Sequence, residues 1–409
     1  MIRGINPQSK PVLKQVLSIG ITFGMCLPIA WAQQPNVDSI RVAVSQEDSQ
    51  VELQVKGLFS IVTANTGRTL HEGRRLHRLK IQGTSQGIAL GEKQLPILGI
   101  RIEPKREDTT ISLNGRPLRG ALEITRREDL TLRVINTVAL EDYLRGVLSR
   151  EAPDYWPIEA LKAIAIAART YALFQRVTKA EQDYDVTGDV MSQDYGGKTS
   201  EKAATTRAVQ QTAGLILLYQ GRLFPTFYHS TCGGMTEHAR VMGPFDVQPL
   251  KGGVSCSLCY ASPFYSWQRR LSRADIGWAL HKSSYGSIGP IQDLQVTRRT
   301  PSGRAQQITI TGKSRTLLLS GFEFRSLFGF DHIRSPLFSI TPVEDAFVLD
   351  GHGWGHGVGL CQWGALELAR RGFSAAEILV FYYRGADVVS LKDLKDQPIT
   401  AIIQGGKSN

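Results

Sequence analysis

Apolar and polar residues alternate with a period of two through most of the stretch from Ser39 to Ile135, as in Ile40-Val42-Val44, Val51-Leu53-Val55 and Leu130-Leu132-Val134. The run from Ile97 to Ile102 belongs to the same pattern, and Asn65-Thr66-Gly67 and Asn114-Gly115-Arg116-Pro117 interrupt it with turn chemistry. Short alternating runs punctuated in this way predict antiparallel strands. No cluster of catalytic residue types falls in this region, which suits a platform or a docking module.

Helical spacing takes over after Asn136. Val138, Tyr143, Leu144 and Val147 recur mostly at threes and fours, and Glu141 and Asp142 sit near the first turn, where the helix dipole favours them. This helix should stop near Ser149–Pro153, because the residue before a proline disfavours helical backbone. A second helix should start at Pro157, with Glu159 just inside, and run through the alanine-rich stretch from Ala160 to Ala172. Thr199–Thr212 predicts a short helix, and Leu215–Tyr219 with Leu223–Tyr228 a hairpin around Gln220-Gly221. Leu294–Thr311 predicts two strands across Pro301-Ser302-Gly303, and Ala375–Tyr383 a closing helix. This order predicts an α+β fold: a β-rich region over 33–130, a mixed helix and strand core over 131–395, and a tail over 396–409.

The first 32 residues differ from the rest. Arg3, Lys10 and Lys14 precede a mostly apolar stretch from Val16 to Ala30, and Ala30-Trp31-Ala32 supplies a small-x-small site. This is the pattern of a signal peptide cleaved before Gln33. The stretch is shorter than the roughly 20 residues of a spanning helix, and no later stretch is apolar enough to span, so no membrane association is expected after cleavage. Loss of the three basic residues lowers the net charge from +11 to +8. A basic exported protein, in the periplasm or cell wall, meets anionic envelope polymers. The basic residues are scattered apart from runs such as Arg74-Arg75 and Arg126-Arg127, without the aromatic interleaving of single-strand binders. Nucleic acid is not the expected partner.

Three segments carry candidate chemistry. One is Glu151-Ala152-Pro153 with the helix behind it, ending in Ala168-Arg169-Thr170-Tyr171-Ala172. Another joins Ser192-Gln193-Asp194-Tyr195-Gly196-Gly197 to Tyr228-His229-Ser230-Thr231-Cys232-Gly233-Gly234. In the third, glycine takes every second position from Gly351 to Gly359 before Cys361-Gln362-Trp363-Gly364. If that segment is extended, His352, Trp354, His356 and Val358 share one face and bare backbone forms the other, open to a flat polymer such as a glycan. A phosphate loop is not indicated, because Gly-Lys-Ser/Thr is missing; a zincin is not, because His352-x-x-x-His356 lacks the glutamate.

Cys26 leaves with the leader, and Cys232, Cys256, Cys259 and Cys361 remain. Cys256-x-x-Cys259 has zinc-knuckle spacing, so the four could hold a structural zinc; in an oxidising compartment two disulfides are the alternative. Either reading expects the four to converge. A thioredoxin-like role lacks its βαβ context.

Together the motifs resemble the SpoIID/LytB family, the stage II sporulation protein D group of cell-wall proteins. The resemblance runs from about Ile40 to about Val388. It rests on Val138-x-Leu140-Glu141-x-Tyr143-Leu144-x-Gly146-Val147, the Glu-x-Pro at Glu151, Glu159-Ala160-Leu161-Lys162-Ala163 and Ala168-Arg169-Thr170-Tyr171-Ala172. It continues through His229-Ser230 with Gly233-Gly234-x-Thr236, and Gly355-His356-Gly357-Val358-Gly359 with Gln362-x-Gly364-Ala365. The resemblance implies a glycan-binding cleft, peptidoglycan as substrate and, for the sporulation members, lytic transglycosylase activity on strands stripped of stem peptides. The family's catalytic glutamate maps onto Glu151. Ala152 stands where the family usually has methionine, and Ile164 where it has glutamine. The His/Cys zinc cluster of some clostridial members has no counterpart between Tyr184 and Ser192.

One carboxyl suffices for that reaction. Hydrolytic glycosidases use two, whereas in a lytic transglycosylase the muramic acid C6 hydroxyl attacks its own anomeric carbon and yields a 1,6-anhydro end. A single glutamate with a raised pKa can protonate the leaving oxygen and then accept the C6 proton; Pro153 and Trp156 could supply the desolvation. No catalytic cofactor is expected. Arg169 and Tyr171 would hold the glycan or its lactyl carboxylate, with Gln193, Tyr195, His229, Ser230, His352, His356 and Gln362 bonding along the strand. The alternative implied by the amidase-enhancer members is a glycan-binding module that recruits or stimulates an N-acetylmuramoyl-L-alanine amidase.

Overall fold

The computed structural model describes residues 38–189 and 192–394. The expected leader over 1–32 with its cleavage before Gln33, and the tail over 396–409, lie outside the described residues. The fold is α+β, with seven helices among the described residues and a large N-terminal sheet. No described helix is long and apolar enough to cross a membrane.

The alternating N-terminal runs form that sheet. Strand Ser39–Asp48 pairs with Leu132–Ala139, followed in spatial order by Ala121–Arg126, Gly99–Pro104, Gln50–Thr63, Thr69–Thr84, Gly87–Leu90 and Lys93–Leu95. Gln50–Thr63 is long enough to serve two partners on one edge: Leu53 faces Leu113 near its start and Ile61 faces Ile102 near its end. Ile40, Val42, Leu53, Val55, Ile100, Ile102, Leu132 and Val134 are all buried, as a period of two requires when one face meets a core. Leu130 departs from the pattern. It has a positive φ of 67° and stays partly exposed in the turn before Leu132.

Helices α1 (Leu140–Glu151) and α2 (Ile158–Thr178) follow the sheet without a break in the core. On α2 nearly every residue from Ala160 to Leu173 is buried. Alanines let neighbouring backbones approach closely, while Leu161, Ile164, Ile166 and Leu173 each contribute about 1.5–3 kcal/mol by burial. α3 (Ala203–Gln211) packs against both. The expected hairpin is only a turn. Gln220 and Gly221 take positive φ and Tyr219 bridges Arg222, but Pro225 has no N–H to extend a ladder. Leu215–Leu218 pairs instead with Asp387–Ser390, and Tyr228–His229 runs parallel to Leu360–Cys361.

Residues 266–352 build a second hydrophobic core, from Trp267 to Leu349. It lies among strands Ser266–Ser272, Ile291–Arg299, Ala305–Gly312, Thr316–Leu319, Phe338–Val343 and Ala346–His352, with α4 (Arg273–Lys282) and α5 (Gly321–Phe328). The turn at Pro301-Ser302-Gly303 separates two of these strands as expected. The chain then returns to the first core through α6 (Gln362–Arg370) and α7 (Ala375–Tyr382).

Candidate functional site

Glu151 is the last residue of α1. The following Ala152 is buried and extended, with φ −146° and ψ 141°, because Pro153 excludes helical backbone there. A carboxylate at this end faces the negative pole of the helix, which favours its protonated form. One carboxyl oxygen accepts the Asp194 backbone N–H at 3.3 Å, and the other accepts the Gln362 side-chain amide at 3.2 Å. The Tyr228 hydroxyl is a third partner. Burial raises the Glu151 pKa to about 7, further helped by the Asp194 charge, although the three hydrogen bonds oppose the rise.

A buried relay fixes these donors. Gln193 gives one amide N–H to the Tyr228 hydroxyl at 3.0 Å and one to the Ala168 carbonyl at 3.2 Å, and accepts the Tyr143 hydroxyl at 3.0 Å. Because Tyr228 accepts from Gln193, its own proton is free to point at Glu151. Burial holds the Tyr143 and Tyr228 pKa values well above the ordinary phenol value, so both remain donors. Trp156 and Trp363 meet edge to face at 5.6 Å and tie the α1–α2 junction to the start of α6, which carries Gln362.

Three residues expected to touch a ligand, Arg169, Tyr195 and Tyr171, have their polar groups engaged within the protein. Arg169 is fully buried, and its guanidinium pairs with Glu141 at 2.7 and 2.8 Å and reaches the carbonyls of Leu215 and Val209 and the Thr212 hydroxyl. Its donors are spent on joining α1, α2, α3 and strand Leu215–Leu218. Tyr195 is buried against Tyr143 and bonds Asn136 at 3.1 Å. Tyr171 is largely buried beside Phe227, with Ser192 and Gln175 as hydroxyl partners. Ser230 is half-buried next to Thr231, and its carbonyl accepts the Trp363 N–H.

The glycine-rich segment is not the extended ribbon that its alternation suggested. Gly353, Gly355, Gly357 and Gly359 all have positive φ, between 71° and 113°. Their missing side chains face protein, not an open face: a Cβ at Gly355 would meet His229 at 2.6 Å, and one at Gly359 the Phe227 carbonyl at 2.0 Å. The bare backbone serves close packing, against residues 227–233 for Gly353, Gly355 and Gly359 and against the Arg304 guanidinium for Gly357. Gly359→Ala should therefore lower stability by about 1–3 kcal/mol in urea unfolding, since both conformation and space oppose it; an unchanged midpoint would contradict this packing.

Without a common face the histidines separate. His352 is exposed, with Ser266 as hydrogen-bond partner at 3.3 Å. His229 and His356 pack edge to face at 5.6 Å. His229 Nδ1 bonds the Val358 carbonyl at 3.0 Å and is thus the protonated nitrogen, leaving Nε2 buried and unpartnered among the described residues. His356 Nδ1 accepts the Val358 N–H at 3.0 Å. Burial depresses both pKa values, His229 to about 3 and His356 well below its ordinary value, so both imidazoles are neutral at physiological pH.

Cys232, Cys256, Cys259 and Cys361 are fully buried and converge, their sulfurs all within 4.8 Å of one another. The site residues not singled out from the sequence are Tyr228, Tyr143 and Asp194. Tyr228 was detectable. It precedes His229 on a short strand, and alternation sends the two side chains to opposite sides, one to Glu151 and one to His356.

The family model described as stage II sporulation protein matches residues 128–219, which carry Glu151, Gln193 and Asp194. A domain of unknown function matches residues 259–359, close to the bounds of the second core. The chain is 30% identical over 360 residues to an uncharacterised protein of Brachyspira hyodysenteriae, covering 87% of this chain and 94% of that protein. It is 30% identical to the stage II sporulation protein D of Bacillus amyloliquefaciens over 62% of this chain and 75% of that one. Similarity to the amidase enhancer of Bacillus subtilis is 29% over 71% of this chain, which spans about half (47%) of that relative. The matching family model and the 30% identity over three quarters of a stage II sporulation protein D agree with the motifs, and the chain belongs to the stage II sporulation protein D family.

Proposed function

We propose that this protein is an exported peptidoglycan lytic transglycosylase in which Glu151 is the general acid and base. The observation that carries the proposal is a carboxyl at a helix end held by three aimed donors, with a pKa that burial raises to about 7. Near neutrality such a group is protonated often enough to give its proton to the glycosidic oxygen, and basic enough afterwards to take one from the muramic acid C6 hydroxyl. The glycosidic C–O bond breaks as the C6 oxygen bonds the anomeric carbon, so the step balances without water. Gln362, Tyr228 and the Asp194 N–H hold the carboxyl in one rotamer and stabilise its anionic form between the two transfers. Residues 33–130 serve as the platform and 131–395 as the catalytic region. No cofactor enters the chemistry, and the four cysteines serve structure.

Likeness to an amidase enhancer favours a second reading, in which the same residues bind glycan and stimulate an amidase. Mass spectrometry of peptide-stripped glycan strands after incubation with the purified protein separates the two. New 1,6-anhydro ends support cleavage; unchanged strands with measurable binding support the second reading.

The raised pKa sets a pH profile. The acid must start protonated, so kcat/KM should be level below about pH 6 and fall tenfold per unit well above about pH 7, provided no second group titrates. A profile flat from pH 6 to 9 would remove Glu151 from the role of acid.

A further inference from the structure

We propose that Cys232, Cys256, Cys259 and Cys361 bind one zinc ion in a closed four-thiolate site, and that this ion clamps Gln362 in place against Glu151. Tetrahedral zinc with bonds of about 2.3 Å places its sulfurs roughly 3.8 Å apart. The Cys232 and Cys259 sulfurs are 3.5 Å apart, and all four lie within 4.8 Å of one another. A disulfide needs a separation of about 2.0 Å between paired sulfurs, whereas here all four cysteines are free and the Cys232 and Cys259 sulfurs stand 3.5 Å apart.

The surroundings are those of thiolates. The Cys232 N–H points at Cys361 Sγ at 3.3 Å, the Gly233 N–H at Cys259, and the Tyr382 hydroxyl lies 3.2 Å from Cys256 Sγ. Outer donors of this kind hold metal-bound sulfur in orientation. The buried Arg304 lies beside the cluster and bonds the Cys232 carbonyl at 2.6 Å, placing positive charge where four thiolates and one divalent ion leave a net negative charge. Space has been left as well. A Cβ at Gly364 would fall 2.8 Å from Cys256 Sγ and nearer still to the Tyr382 hydroxyl, so only glycine fits at that position of α6.

The ligands come from three segments that are distant in sequence, and the site is closed, with no position left for a reacting water. Its role follows from what is attached. Cys361 immediately precedes α6, and the first residue of that helix is Gln362, whose amide bonds Glu151. Trp363 comes next and packs on Trp156. Cys232 ends the segment that begins with Tyr228, another Glu151 partner. Metal binding therefore ties down two of the three groups around the carboxyl. The zinc site stands on its own geometry; only the benefit to catalysis rests on the function proposed for Glu151.

The test uses the full chain purified under reducing, metal-replete conditions. Elemental analysis should find about one zinc per chain, and cobalt(II) exchanged for it should show sulfur-to-cobalt charge transfer and the strong visible absorption of a tetrahedral thiolate site. Zinc below about a tenth per chain, or two disulfides by mass spectrometry under these conditions, would overturn the site. For the clamp, zinc removal should lower the melting temperature and shift tryptophan emission in the wild type, with a much smaller emission shift in Trp363→Phe. Bound zinc whose removal leaves both readouts unchanged would overturn the clamp. Cys361→Ser should lose the zinc; should that variant not fold, the cobalt spectrum of the wild type still decides. Loss of zinc binding with the Glu151 pH profile intact would count against this inference alone, not against the function proposed for Glu151.

Discussion

Glu151→Gln should reduce release of anhydro-ended products by at least about 10²–10⁴-fold while glycan binding persists. Glutamine keeps the shape and can still accept the Asp194 N–H, but it has no proton to deliver. The same substitution should stabilise the protein at alkaline pH. The folded pKa of Glu151 lies above its unfolded value of 4.5, so its favourable contribution is full below about pH 4.5 and lost as pH rises through about 7. Above that, the folded state carries a desolvated carboxylate that glutamine removes. The gain should be on the order of 1–3 kcal/mol, towards the lower end because the side chain keeps some contact with solvent. Melting curves at pH 4 and pH 8.5 measure the difference. Near-normal cleavage by the variant would require another acid, and His356, the first of the remaining titratable groups in the motifs to test, is held neutral by burial.

Arg169→Ala should lower stability by about 2–3 kcal/mol: the Glu141 carboxylate is about a third exposed, so losing its partner costs less than in a fully buried pair, but the hydrogen bonds of a fully buried guanidinium are lost as well. The loss would leave the Glu141 carboxylate without its partner, and the carbonyls of Leu215 and Val209 without a donor. Pairing Arg169→Met with Glu141→Gln should recover part of that loss, since no unpaired charge then remains. Chemical denaturation gives both values. A stable Arg169→Ala protein with weakened glycan binding would instead restore the expectation that this arginine grips substrate.

The strands and the first two helices were legible because each rests on a local rule. Ile40, Val42, Leu53 and Leu132 alternate because one face of a sheet is buried, and α1 ends at Glu151 because Pro153 forbids another helical residue. The second core was not legible. Its apolar residues are spread over strands whose partners lie far apart in the chain, such as Ser266–Ser272 with Ala346–His352, and no local period records that pairing.

For the site, the sequence alone determined which residue types are present and where the backbone must break: Glu151 before a proline, four cysteines and alternating glycines. Tertiary structure decided what each one does. Arg169 and His356 carry polar groups that could serve a ligand or the protein, and the choice depends on neighbours distant in sequence: Glu141 and Leu215 for one, His229 and Val358 for the other. The glycines were misread for the same reason, since a missing Cβ admits whichever neighbour approaches, and here the neighbours are the segment from Phe227 to Gly233 and, at Gly357, the Arg304 guanidinium. The raised pKa of Glu151 likewise comes from burial, a property that exists only once α1, the Gln193–Asp194 loop and α6 have closed around the carboxyl.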